Sequence, residues 1–204
     1  MLDICWQAKD LPLVKAFKQD AKVLVAGSSW APDEDLIIPY FNAHPEMKLV
    51  LAPHVVSEDH LKEIEGKLRR PFVRYSRVTE ESAARADCLI IDGYGLLSSI
   101  YRYGEMAYVG GGFGVGIHNT LEAATFGLPI AFGPNYEKFK EARDLVTLGA
   151  ATPIHSYEEL KTWFTPLRDD EHLLQQCSRI AKDYTTAHQG ATNIVLHTVF
   201  GKPE

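Results

Sequence analysis

Apolar residues along this chain gather in short blocks at intervals of about 20–25 residues: KVLVAG (22–27), MKLVLAP (47–53), PFVRYS (71–76), DCLIIDG (87–93), EMAYVGGG (105–112), LPIAFG (128–133) and AATPI (150–154). Most blocks are continuous rather than alternating, the pattern of strands buried on both faces of a parallel sheet. Between them, residues 33–44, 57–68, 96–104, 119–127, 136–149 and 156–164 carry apolar positions at helical spacing. Strand then helix, repeated about six times, predicts an α/β fold: a Rossmann-like open parallel sheet with helices on both faces.

The alternation stops near Asp169, and residues 171–200 read as one or two amphipathic helices, broken near Gly190. The first twenty residues read as polar linker and helix, and they begin abruptly, as though a segment preceded them. The expected organisation is one domain: linker and helix over 1–20, an α/β core over 21–168, and a helical C-terminal tail over 169–204.

Composition narrows the function. At 204 residues, 46% hydrophobic and 24% charged, the chain has an ordinary globular balance. A formal net charge of −6 argues against a nucleic-acid partner. No apolar run approaches the roughly 18 residues of a membrane span. Cys5, Cys88 and Cys177 are far apart and fit neither a disulfide framework nor zinc spacing, so reduced thiols are expected, with Cys88 in the core. His44, His60, His155, His172, His188 and His197 lack partners at ligand spacing, so neither metal nor cofactor is expected.

In doubly wound sheets, ligands bind where strands give way to loops at their carboxyl ends. Three such junctions carry chemistry. Gly27, Ser28 and Ser29 follow the first strand and offer backbone N–H and hydroxyl donors to an anion, or a tight turn with Ser29 or Asp33 capping the next helix. Residues 110–116 hold five glycines in GGGFGVG, leading to His118. They match neither GxGxxG nor GxxxxGK[ST], and they follow the fifth strand rather than the first, which speaks against a dehydrogenase or a P-loop. Close backbone approach to a ligand, a mobile lid and a structural bend each account for them. Asn119, Thr120, Leu121 and Glu122 open a helix as a capping box, with Glu122 also placed to accept hydrogen bonds from a ribose diol.

Taken together, VLVAGSSWAPDEDLII, KLVLAPHVVSE and GYGLLSSIYRYGEMAYVGGGFGVGIHNTLEAATFGLPIAFGPNYEKFKEA resemble the transferases of 3-deoxy-D-manno-octulosonic acid (Kdo) in lipopolysaccharide synthesis, over residues 20 to 165. The resemblance implies a GT-B glycosyltransferase of two Rossmann-like halves, with this chain the C-terminal, donor-binding one. Its ligand would be CMP-Kdo, its acceptor a lipid A precursor, and its transfer inverting and metal-independent. The acceptor site, the catalytic base and the membrane contact would lie in an N-terminal half before Met1. The whole protein would then work at the cytoplasmic face of the bacterial inner membrane, with this portion soluble and inactive alone. Carried over by position, the CMP contacts fall on Gly27, Ser28, Ser29, Pro53, His54, Gly95, Leu96, Leu97, His118, Asn119, Thr120, Leu121 and Glu122. His54 stands where the family often has arginine, Leu96 where many members have glutamate, and Trp30 in place of a frequent histidine. Alternatives are another GT-B nucleotide-sugar enzyme, such as a UDP-GlcNAc transferase or 2-epimerase, or a nucleotide-binding module without chemistry of its own.

Overall fold

The computed structural model describes residues 8–188. Helix α1 (Pro12–Lys18) leads into β1 (Lys22–Ser29), followed by α2 (Ala31–Ala43), β2 (Met47–Pro53), α3 (Glu58–Lys67) and β3 (Phe72–Arg74). A short helix α4 (Glu80–Arg85) precedes β4 (Cys88–Ile90), and α5 (Leu97–Ile100) runs on as a 3₁₀ turn before β5 (Met106–Val109). Then come α6 (Thr120–Thr125), β6 (Ile130–Phe132), α7 (Lys140–Leu148), β7 (Ala151–Pro153), α8 (Tyr157–Asp169) and α9 (Glu171–Ala187).

The strands form one sheet in the order β3-β4-β2-β1-β5-β6-β7, and every neighbouring pair is parallel. All strands therefore end on the same edge, and the loops that follow them share one rim. Helices cover both faces. Along β1, Val23 and Val25 pack on one side with Phe17, Ile100 and Leu145, while Leu24 and Ala26 pack on the other with Ile37, Phe41 and Phe164. Burial on both sides is what the continuous apolar runs require, and each fully buried large side chain stabilises the fold by about 1.5–3 kcal/mol.

Helix α9 joins the two layers. Leu174 and Cys177 sit in one apolar cluster and Ala181 and Tyr184 in the other, and the Tyr184 hydroxyl donates to Asp144 of α7 at 2.9 Å. Asp170 caps it, accepting from the His172 and Leu173 amides.

All seven predicted strands are present, but β3, β4, β6 and β7 are three residues each, shorter than their apolar runs. Buried flanking residues such as Ile91 extend the runs beyond the hydrogen-bonded ladder. In the other direction, β1 continues through Ser29, where a turn is expected. Helix α4, with Thr79 as N-cap, has too few apolar positions to announce itself, and α8 runs five residues past the expected end. Cys88 and Cys177 are buried free thiols. Cys5 and the expected break near Gly190 lie outside the described residues. No helix among the described residues is long and apolar enough to cross a membrane.

Candidate functional site

From β1 the chain crosses to β2 on one side, and it later returns to β5 on the other. The loops leaving β1 and β5 therefore diverge, and a crevice opens between them at the carboxyl edge. A cleft of about 540 Å³ lies there. Trp30, Pro32 and Asp33 line it from the β1 side, His54 from the end of β2, and Gly111 and residues 113–118 from the loop after β5, with Phe139 behind.

The β1 exit does not form the expected open turn. Gly27 is a strand residue facing Leu97 and the Tyr101 hydroxyl, and the ladder to β2 shifts register between Gly27 and Ser29. Ser28 takes a left-handed φ of 53° at that irregularity. Ser29 is fully buried and its Oγ donates to Glu34 Oε1 at 3.0 Å, so that hydroxyl faces the interior rather than an anion. The reason is Glu34, a carboxylate with no exposure that also holds His60 Nε2 at 3.1 Å; burial raises its pKa. Neither Ser29 nor Asp33 is the N-cap of α2. Trp30 holds that position, and the Asp33 carboxylate accepts its backbone N–H at 2.9 Å.

Asp33 does more than cap. It is 1% exposed and also accepts the Tyr108 hydroxyl at 2.9 Å and the Gly111 N–H at 3.0 Å. Burial raises its pKa, and the hydrogen bonds from Gly111, Trp30 and Tyr108 oppose that rise. One carboxylate thus ties the start of α2, strand β5 and the glycine loop together.

The base of that loop is packed rather than open. A Cβ on Gly110 would overlap the Ser28 carbonyl, and one on Gly112 would lie 2.6 Å from the Gly133 backbone. These two glycines are needed because backbone touches backbone there. At the tip, Gly114 is exposed and Val115 fully so. The amides of Phe113 and Val115 donate to no acceptor among the described residues.

Three rings meet at the mouth. Trp30 stacks on His54 with centroids 4.5 Å apart, and His54 stacks on His118 at 4.7 Å. Trp30 Nε1–H also donates to His118 Nε2 at 3.3 Å. Desolvation, and then the neighbouring His54, lower the His118 pKa, against a smaller opposing pull from Asp33.

The remaining sequence-expected residues sit around this cleft rather than in it. Pro53 ends β2 opposite Ser29, and the His54 N–H donates to the Ser29 carbonyl. Gly95 has a φ of 81° before Leu96 and Leu97, which pack on the core beneath Gly27. Asn119 caps α6 through the Leu121 amide, and its Nδ2 donates to Glu122 Oε1 at 3.1 Å. The expected reciprocal capping box is thus replaced by a side-chain pair. Thr120 is buried and Glu122 half-buried, its charge acting on Tyr101. Sequence reasoning left out Asp33 as a loop anchor, Phe139, and the stacking of Trp30 on His54. The only signal for Asp33 was a polar Tyr108 inside an otherwise apolar strand. Among the described residues, no group of three His, Cys, Asp or Glu is placed to hold a metal ion.

Comparison with known proteins identifies the relatives of this chain. No family model matches it. It is 31% identical over 137 residues to the 3-deoxy-D-manno-octulosonic acid transferase of Chlamydophila psittaci, 65% of this chain and 31% of that protein. It is 28% identical over 159 residues to the Aquifex aeolicus transferase of the same name, 75% of this chain and 44% of that protein. The chain is a sequence relative of the Kdo transferases. It spans less than half the length of these Kdo transferases. In fold it matches the C-terminal CMP-Kdo binding domain of WaaA from Acinetobacter baumannii with a TM-score of 0.67 and 21% identity, covering 88% of this chain and 98% of that domain. A looser fold match, TM-score 0.62 at 14% identity, is to the S. aureus MnaA–UDP co-structure. This relationship to the Kdo transferases agrees with the resemblance read from the sequence, and the fold is that of GT-B glycosyltransferase domains.

Proposed function

We propose that the chain is the donor-binding half of a GT-B Kdo transferase, binding CMP-Kdo for transfer of Kdo to a lipid A precursor in lipopolysaccharide synthesis. The observation that carries this reading is the coincidence of the switch-point cleft with the glycine loop inside the segment that resembles the Kdo transferases. The nucleotide phosphate lies against the loop after β5, with His54 and His118 beside it. Glu122, at the start of α6, accepts the ribose hydroxyls.

In the reaction an acceptor hydroxyl attacks the Kdo anomeric carbon with inversion, and the bond from that carbon to the phosphate oxygen breaks. CMP leaves with the electron pair. Backbone amides and imidazoles at the cleft stabilise the charge gathering on the departing phosphate, without a metal ion. The proton of the attacking hydroxyl goes to a base outside this chain. In this reading the acceptor and the cytoplasmic face of the bacterial inner membrane are met by an N-terminal half of the whole protein.

Calorimetry with CMP and UMP, each with and without EDTA, tests the assignment. CMP should bind more tightly than UMP and keep its affinity in EDTA. Preferential UMP binding would move the chain to the UDP-sugar enzymes, and loss of CMP binding in EDTA would remove the metal-independent mechanism.

A further inference from the structure

The cleft is built for an anion by the reading above, yet neither lysine nor arginine among the described residues lines it. Its groups able to carry positive charge are His54 and His118. Lys138 lines an adjoining depression with Gly114, Val115 and Glu137. The charged or titratable groups acting on His118 are His54 across the stack and Asp33 from α2 beneath it. Among the described residues that line it, a full positive charge therefore comes only by protonation of these two rings.

The ring stack shows what protonation displaces. Indole Nε1–H can only donate, so the contact at 3.3 Å makes His118 Nε2 an acceptor, and the ring proton sits on Nδ1. His118 is neutral in this arrangement. A proton on Nε2 would face the indole N–H, donor against donor, and would leave two imidazoles 4.7 Å apart both able to be cationic. A phosphate oxygen accepting from Nε2 resolves both conflicts. Trp30 is 40% exposed and can move outward when its acceptor is lost.

We propose that Trp30, His54 and His118 form a latch over the phosphate site, and that a phosphate anion binds with uptake of a solvent proton by the histidine pair while Trp30 is released. The inference rests on the nucleotide reading, which its test separates. The lowered pKa of His118, set by desolvation and by His54, favours its neutral form in the unliganded chain. The anion then favours the protonated form, so affinity grows as pH falls.

The probe is the methyl ester of CMP, a phosphodiester whose single charge does not titrate between pH 6 and 8. Uptake of one proton changes affinity by up to a decade per pH unit, so the native chain should bind it about tenfold more tightly at pH 6 than at pH 8. His54→Gln/His118→Gln should bind weakly and equally at both pH values, with its far-UV circular dichroism unchanged. Trp30→Phe keeps a ring but loses the N–H, and should bind about two- to tenfold more tightly at pH 8, the range of one neutral hydrogen bond. A native ratio under twofold, a ratio that survives in the double variant, or weaker binding by Trp30→Phe overturns the latch. Failure of the ester to bind at either pH removes the nucleotide reading instead. The latch is then decided without ligand, by tryptophan emission between pH 8 and 5. A change seen in the native chain and absent from Trp30→Phe supports it, and a flat native profile overturns it.

Discussion

Asp33 collects donors from three separate stretches of chain: the Trp30 amide, the Tyr108 hydroxyl and the Gly111 amide. Oδ2 takes both amides, so Asp33→Ala leaves those two N–H groups and the Tyr108 hydroxyl without their acceptor. We expect a loss of about 3 kcal/mol, from donors left buried without acceptors. In a chain of this size that lowers Tm by about 6–12 °C, readable by calorimetry, and the Gly111 amide should exchange faster. The pH sign follows from the raised pKa. The folded state holds the Asp33 proton more tightly than the unfolded chain, so the native protein gives up part of its acid-pH stability as pH rises from the ordinary aspartate value to the raised one. Asp33→Ala should lack that component. Little of this was legible in the sequence, where Asp33 read only as a possible helix cap. Its other partners are 75 and 78 positions away, and no local pattern reports such a distance. The Trp30–His54–His118 stack escaped for the same reason, although each residue stood out singly. Glu122 was legible as a helix-start residue, but its bond to the Asn119 side chain was not.

At the scale of elements, glycine density in 110–116 shows that backbone approaches something closely, but not what it approaches. The structure divides the segment. Gly110 and Gly112 press on the backbones of Ser28 and Gly133, and the Gly110 amide donates to Gly27. The Gly114–Val115 tip stands in solvent. Hydrogen exchange should therefore find two behaviours within seven residues. The amides of Gly110 and Gly111 should be protected with or without nucleotide, while those of Phe113 and Val115 should exchange fast in the free chain and slow at least severalfold with CMP. Uniform fast exchange across 110–116 would contradict the packed base, and an unchanged tip would remove it from the binding surface. The strands were readable for a simpler reason. In a sheet buried on both faces every position of a strand is apolar, so each run announces itself without its partners. Short polar-faced helices such as α4 have no comparable signal.

For the whole molecule, strand order was the property least visible in the sequence, because each apolar run looks alike and nothing in it names its neighbours. The order found places β1 in the middle, flanked by β2 close by in the chain and by β5 some 80 residues later. That placement has a consequence for how the chain folds as it is made. Until Met106 to Val109 emerge, Leu24 to Gly27 present a bare apolar edge whose unpaired amides and carbonyls can recruit another chain. Closure of the sheet must wait for a distant contact, which slows folding compared with a fold of local pairings. A fragment ending at Gly104 should accordingly show weak, non-cooperative melting and a sedimentation profile dominated by aggregates, whereas one extended through α9 should be monodisperse. A monomeric, cooperatively melting fragment 1–104 would show that β1 to β4 stand alone. Otherwise the interval between synthesis of β1 and of β5 is when this protein most needs protection from its own copies, and slowing translation across residues 30–105 should lower the soluble yield.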